Sequence, residues 1–176
     1  LEVQYKAKDG EWTNAKPTDA GTYNLRVHIA NGANFAAGYV PLSESLIIKP
    51  ASQAAPALSI FKVTAPTSIN GTDGTITGVT TDMEYRTDGQ DWKPCNGTTI
   101  SGSSGKYQIR YAAKPNHDAS PVVVVIVPDH VHDFCMEKVA PEYSASPATC
   151  TEAATYYKSC ACGTSSKDTA EPVTFT

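Results

Sequence analysis

The clearest pattern along the chain is an alternation of apolar and polar residues. Apolar side chains occupy every second position from Tyr23 to Ile29 and again from Tyr107 to Tyr111. A period of two is typical of a β-strand with one buried face. Turn dipeptides separate the strand-like runs, at residues 9–10, 73–74, 88–89 and 96–97. Ahead of the cysteine-rich C-terminal region no segment has a sustained helical period, so the sequence predicts an all-β protein.

The chain contains the same arrangement twice, about 80 residues apart, which is the size of a small β-sandwich module. In both copies a tyrosine precedes a tryptophan by seven residues, at Tyr5 and Trp12 and again at Tyr85 and Trp92. A Gly-x-Tyr-x-aliphatic-Arg strand follows each tryptophan, and each copy closes on an apolar strand ending in proline. A repeat of this length implies an array of similar units.

These boundaries predict three parts: a first unit over 1–50, a second over 57–128 and a Cys/His-rich C-terminal unit over 129–176. The segment between the first two is rich in small residues and proline, which favours a short extended spacer. The first unit has almost nothing before its tyrosine, whereas residues 57–83 precede the second. We therefore expect the first unit to lack its opening strands. We also expect a preceding segment, a neighbouring chain or a crystal neighbour to cover the exposed edge. Because the chain starts on Leu1, we expect it to be a segment of a longer protein.

Residues 18–23 read Thr-Asp-Ala-Gly-Thr-Tyr, the most specific local signal in the first two units. The run resembles the AGTY element of bacterial immunoglobulin-like modules, which recur in large surface and secreted proteins of Gram-positive bacteria. The second unit carries Ser-Ser-Gly-Lys-Tyr at 103–107 instead. The resemblance implies two tandem immunoglobulin-like β-sandwich modules, the first without its N-terminal strands. Glycine permits a tight turn there, and the tyrosine packs its ring while its hydroxyl bonds nearby backbone.

The C-terminal unit has a different motif order. His-x-His-x-Phe at 130–134 leads to Ala-Thr-Cys-Thr-Glu at 148–152 and then to Tyr-Tyr-Lys-Ser-Cys-Ala-Cys-Gly at 156–163. This order and spacing resemble a short repeat found near the ends of Gram-positive surface proteins. The resemblance implies an extracellular or cell-surface location and a small Cys/His-rich β module, without defining what that module does.

The cysteines and histidines of this unit are the one candidate site for chemistry. The candidate zinc ligands are His130, His132, Cys150, Cys160 and Cys162. Three thiolates and one imidazole would form a tetrahedral Cys3His site, with Cys135 as a substitute thiolate. A unit this small, with few large apolar side chains, needs such a cross-link to become ordered. A site with all four positions filled by protein is structural.

Disulfides are the alternative use of the same cysteines. Cys135 with Cys150, or Cys150 with Cys160, would suit an oxidising exterior. Cys160 and Cys162 share one face of an extended strand and are poorly placed to bond each other. The single residue between them also departs from the two residues usual in zinc-binding pairs. The sequence therefore leaves zinc and disulfides open, and the total of five cysteines excludes complete pairing within the chain.

Composition excludes several classes of function. The formal net charge is −4 and only 18% of residues are charged, so the chain has no basic surface for nucleic acid. No apolar run reaches the length of a membrane span, so we expect no membrane insertion. Motifs for a nucleophile elbow, a zinc protease, a phosphate loop or a dinucleotide are absent. We therefore expect no enzyme, but a structural or display segment that spaces or presents another domain of a longer parent chain.

A binding function is the alternative. Trp12 and Trp92 could form stacking platforms in a carbohydrate- or host-ligand-binding accessory module, whose partner would be a glycan or a host surface protein. Their equivalent positions in a repeat instead favour a shared packing role. Exposure of the two rings on one face would support binding, and burial would support packing.

Overall fold

The computed structural model describes all residues, 1–176. It contains thirteen β-strands, three short 3-10 helices and no α-helix. The strands form four sheets, and every strand pair within them is antiparallel. The prediction of an all-β protein is thereby confirmed. No helix has the length and apolar character needed to cross a membrane.

The first unit is a single three-stranded sheet. Its strands are β1 (Glu2–Ala7), β2 (Gly21–Ile29) and β3 (Gly38–Ile48), in the order β1-β2-β3. No second sheet covers it, and none of its residues is fully buried. The alternating pattern that predicted a buried face is correct about the strands, but that face remains partly open.

The second unit has two sheets with a core between them. A 3-10 helix at Leu58–Ile60 precedes its strands, which are β4 (Lys62–Thr64), β5 (Gly74–Thr77), β6 (Met83–Thr87), β7 (Lys93–Pro94), β8 (Thr99–Gly102), β9 (Gly105–Tyr111) and β10 (Val123–Val127). The sheets have the orders β4-β5-β8 and β10-β9-β6-β7. Nine buried side chains from both sheets and their connections form the core: Ile76, Val79, Met83, Cys95, Ile100, Tyr107, Ile109, Val125 and Val127. This is the one hydrophobic cluster of the chain.

Each of the two units has an equivalent hydrogen bond at the start of its central strand. The Tyr23 hydroxyl donates to the carbonyl oxygen of Asp19 at 3.0 Å. The Tyr107 hydroxyl donates to the carbonyl oxygen of Ser103 at 2.9 Å. Each tyrosine thus closes the turn that precedes its own strand, which is the backbone bond predicted for this residue. The bond is kept although the second unit lacks the Ala-Gly-Thr-Tyr run.

Equivalent residues of the two units differ in burial. Leu25 lies opposite Tyr5 in the first sheet, and Ile109 lies opposite Tyr85 in the second unit. Ile109 is 0% exposed because the β4-β5-β8 sheet covers it, whereas Leu25 is only half-buried. The first unit therefore consists of one layer, and no second sheet covers Leu25. What lies beside the exposed edge of this sheet stays a prediction.

Direct hydrogen bonds join the first unit to the second. The linker residue Ala51 donates its N–H to the carbonyl of Asn116 at 2.7 Å and accepts from the N–H of Asp118 at 3.0 Å. The Asn116 amide oxygen accepts from the N–H of Ala20 at 2.7 Å, and its nitrogen donates to the carboxylate of Asp19 at 2.8 Å. Asn116 has a φ of 62°, a left-handed conformation that asparagine tolerates. The predicted spacer is therefore attached to the second unit.

The C-terminal unit has three short strands and little core. Its strands β11 (Ser144–Ser146), β12 (Thr155–Tyr157) and β13 (Thr174–Phe175) lie in that order, with 3-10 helices at Pro141–Tyr143 and Ser166–Asp168. Its only buried residues are Tyr143, Ser159, Cys160 and Ser166. None of them is aliphatic, so burial of hydrocarbon contributes little to the order of this unit.

We predict that one truncation will have different effects at the two equivalent positions. Ile109→Ala should lower the free energy of unfolding of the second unit by about 2–5 kcal/mol, because it leaves a cavity in a closed core. Leu25→Ala should cost roughly half of that or less, because its side chain is already partly in water. Urea denaturation of both variants measures the difference. Equal losses would show that the first sheet has a closed core of its own.

Candidate metal centre

Two histidines and two cysteines converge next to the start of the C-terminal unit. The side-chain ligand atoms of His130, His132, Cys160 and Cys162 all lie within 4.8 Å of one another. His130 Nε2 is 3.7 Å from the Cys160 sulfur, and His132 Nδ1 is 3.3 Å from the Cys162 sulfur. Both histidines follow the last strand of the second unit, and both cysteines follow β12. The group is one that could hold a metal ion.

A tight turn places the two thiols. The N–H of Cys160 donates to the carbonyl of Thr164 at 2.8 Å, and the N–H of Gly163 donates to the carbonyl of Cys160 at 2.9 Å. Gly163 has a φ of 89°, which side chains with a Cβ rarely adopt. The sequence prediction placed Cys160 and Cys162 in an extended strand, but β12 ends at Tyr157. The turn is what directs both sulfurs into one group.

The buried Tyr143 stabilises this turn by a hydrogen bond. Its hydroxyl donates to the carbonyl of Gly163 at 3.0 Å, so the turn has a hydrogen bond to the rest of the C-terminal unit. Sequence reasoning missed this residue. The available signal was its size, because a large aromatic side chain in a region with few aliphatic residues has to take part in the packing.

The orientation of the first imidazole is set on its other side. His130 Nδ1 lies 2.9 Å from the carbonyl oxygen of Pro66. Since a carbonyl only accepts, Nδ1 carries a proton and donates, so in the neutral ring the Nε2 lone pair is directed toward the Cys160 sulfur. This is the tautomer that a metal ligand requires. The His132 ring packs edge-on against the His130 ring, with 4.8 Å between centroids.

The local hydrogen bonds favour thiolate sulfurs. The backbone N–H of Cys162, followed by the side chains of Cys162 and His130, lowers the pKa of Cys160 to about 7, although burial opposes the shift. The Thr164 hydroxyl and backbone N–H lower the pKa of Cys162. The Cys160 thiol in turn raises the pKa of His130. Thiolates are the form that binds metal, so the group is preorganised for a cation.

The structure does not bring Cys150 into this group. Cys150 and Cys135 are both exposed, and all five cysteines are free thiols. The reason is local: the Thr149 hydroxyl accepts from the N–H groups of Thr151 at 3.3 Å and Glu152 at 3.0 Å. These bonds close a separate turn around Cys150. The group that the structure brings together has two thiols and two imidazoles, and the expected set of three thiols and one imidazole stays a prediction.

Two distances within the group are compatible with a tetrahedral zinc ion. Zinc binds sulfur at about 2.3 Å and imidazole nitrogen at about 2.0–2.1 Å, so a sulfur and a nitrogen on one zinc lie roughly 3.5 Å apart. The two sulfur–nitrogen distances of 3.7 and 3.3 Å bracket that value. Four protein ligands on a tetrahedral ion would leave no position for a reacting water.

The two tryptophans lie elsewhere, under arginines. The guanidinium of Arg26 lies 4.3 Å from the Trp12 ring centroid. Arg110, which occupies the equivalent position in the second unit, lies 3.9 Å from the Trp92 ring, and Arg86 lies 4.7 Å from it. Both rings are half-buried. A ring face covered by a guanidinium is not open for stacking on a sugar.

The two equivalent arginines each donate a hydrogen bond to a side chain on the neighbouring strand. Arg26 Nε donates to the Gln4 amide oxygen at 2.7 Å, and Arg110 Nε donates to the Glu84 carboxylate at 2.6 Å. Both pairs lie directly across neighbouring strands. The repeated Tyr–Trp spacing in the sequence therefore corresponds to a repeated arginine–tryptophan stack.

Comparison with known proteins identifies no relative of this chain. No protein-family model matches the chain, and neither a curated protein nor a solved structure matches it. The assignment of the site therefore rests on the ligand geometry alone.

We predict that the metal-free protein contains a thiol that ionises near neutral pH. Because hydrogen bonds to the thiolate lower the pKa of Cys160 to about 7, its thiolate should form as the pH rises through that value. The stability that these bonds add should be lost as the pH falls through it. Ultraviolet absorbance of the thiolate measures the titration. Cys160→Ser should remove the step and Cys150→Ser should keep it, whereas a titration entirely in the ordinary thiol range would contradict the assignment.

Proposed function

We propose that this chain is a non-catalytic structural or display segment of a large secreted or cell-surface bacterial protein. In this proposal two immunoglobulin-like units space or present another domain of the parent chain. The C-terminal unit is ordered by one structural zinc ion, bound by His130, His132, Cys160 and Cys162. The extracellular location rests on the resemblance of both motif sets to modules of Gram-positive surface proteins.

The convergence of four ligand atoms within 4.8 Å carries the zinc part of the proposal. The C-terminal unit has four buried residues and no aliphatic core, so its order needs another source. A structural zinc site contributes folding free energy directly, because the site does not exist in the unfolded chain. The free thiols and the turn around Cys150 favour zinc over the disulfide alternative.

The spacing role is supported by the joint and by the repeated stacks. Asn116 ties the turn at Asp19 and Ala20 to the second unit, which restricts bending between the first two units. Trp12 and Trp92 lie in the same intramolecular stack in each unit. The proposal of a glycan or host-protein ligand loses support, because its two anchor residues already have intramolecular partners.

Metal content of the purified chain tests the proposal. We expect one zinc per chain, and we expect chelation to disorder the C-terminal unit while the second unit stays folded. Cys160→Ser and Cys162→Ser should each abolish stoichiometric binding. Cys150→Ser is the matched control, since it removes a thiol of the same unit that lies outside the group, and it should bind zinc normally.

The disulfide alternative predicts a different set of results. A chain without metal, with one free thiol under denaturing and non-reducing conditions, would replace zinc by two disulfides. In that case Cys150→Ser would destabilise the C-terminal unit, because two disulfides among its four cysteines necessarily include Cys150.

We predict a stabilising role for the tryptophans. Trp92→Ala should lower the free energy of unfolding of the second unit by about 1–2 kcal/mol, since it removes two cation–π contacts of about 0.5–1 kcal/mol each. Trp92→Phe keeps an aromatic ring and should cost less. Chemical denaturation measures both variants. Unchanged stability of Trp92→Ala combined with lost binding to an oligosaccharide would instead favour the carbohydrate-binding function.

A further inference from the structure

We infer that the metal centre is also the joint that locks the C-terminal unit onto the second unit. In this arrangement the loop between β4 and β5 acts as a positioning element for His130. The inference rests on the proposed zinc site and goes beyond it, because it assigns the bound ion an effect on the relation between two units.

One imidazole ring contacts both units. His130 Nδ1 donates to the carbonyl of Pro66, which lies in the β4–β5 loop of the second unit. Its Nε2 faces the sulfur of Cys160, which lies in the C-terminal unit. Pro66 is buried, so its carbonyl is presented by a fixed part of the second unit. The ring therefore bridges the boundary through two different atoms.

The loop that presents this carbonyl is itself well ordered by side-chain bonds. The Asp73 carboxylate accepts from the backbone N–H of Thr67 at 3.1 Å and from its hydroxyl at 2.5 Å. These two bonds lower the pKa of Asp73, so the carboxylate is charged at neutral pH and the bonds are present there. Gly71 closes the loop by donating its N–H to the carbonyl of Ser68 at 3.0 Å. Asp73 thus fixes the Pro66–Thr67 peptide group, whose carbonyl oxygen accepts from His130.

Metal binding and the loop contact reinforce each other. A metal on Nε2 makes Nδ1–H a stronger donor, and a partner on Nδ1 makes the ring a better ligand. Without the ion, only weak hydrogen bonds between sulfur and nitrogen join Cys160 to His130 and Cys162 to His132. With the ion, the segment after β10 is bonded to the cysteine turn of the C-terminal unit and directed by the β4–β5 loop. The two units should then move together.

The experiment uses the full chain, loaded with zinc or stripped by a chelator. Backbone ¹⁵N relaxation should give one common rotational correlation time for the second and C-terminal units in the zinc form. In the stripped form the C-terminal unit should reorient faster than the second unit. Zinc affinity is measured in parallel by competition with a chromogenic chelator, so that loss of metal and loss of coupling are recorded separately.

Variants of the loop separate a positioning role from a general effect. Asp73→Ala and Thr67→Val should each weaken zinc binding roughly tenfold, the lower end of the range for the loss of an outer partner of a metal ligand. At saturating zinc they should also let the two units reorient separately. Thr67→Ser keeps the hydroxyl and should restore the normal behaviour. Asp88→Asn is the control for charge, because Asp88 is an exposed turn residue of the same unit away from this loop.

Three outcomes would overturn the inference. Zinc binding of unaltered affinity and common tumbling in Asp73→Ala and Thr67→Val would show that the loop has no positioning role. Zinc binding by the natural chain with independent tumbling of the two units would leave a structural site that is not a joint, and the proposed function would stand. A chain that takes up no zinc would overturn both proposals. Methyl spectra of the second unit's core check that each variant is folded.

Discussion

Burial of apolar side chains between two facing sheets occurs at one place in this chain, and the other two units depend on different interactions. The core around Ile109 closes because β4, β5 and β8 cover the sheet that contains β9. A single sheet cannot exclude water from both faces, and a unit of under 50 residues has little hydrocarbon to bury. The flanking units are therefore organised by hydrogen bonds, stacked arginines and the Cys/His group.

The two units resemble each other more in their side-chain contacts than in their residue identities. Both units keep a tyrosine hydroxyl on the carbonyl four residues before it, and both keep an arginine between a tryptophan ring and a polar partner on the next strand. Gln4 of the first unit corresponds to Glu84 of the second, and the arginine donates to the side-chain oxygen of either residue. These devices are local to one sheet. They can consequently form in the first unit, which consists of one sheet.

The strands and the approximate ligand set could be predicted from the sequence because they follow local rules. The alternation from Tyr23 to Ile29 predicts a strand without reference to the rest of the chain, and the structure has β2 there. The His-x-His and Cys-x-Cys pairs contain all four members of the metal group. The structure leaves Cys150 outside the group, because the hydroxyl of Thr149 closes a turn that spacing alone does not indicate. The role of Pro66 had no signal at all, since a backbone carbonyl is the same in every residue. Only the fold places it beside His130.

The distribution of the five thiols has a practical consequence for chemistry on this molecule. Cys95 is enclosed in the core, where burial raises its pKa and keeps it protonated. Cys160 and Cys162 face each other and two imidazoles. Cys135 and Cys150 are the thiols open to solvent, and both belong to the C-terminal unit. Reagents that require an accessible sulfur will therefore modify the C-terminal unit selectively, so a label can be attached to that unit without an engineered cysteine.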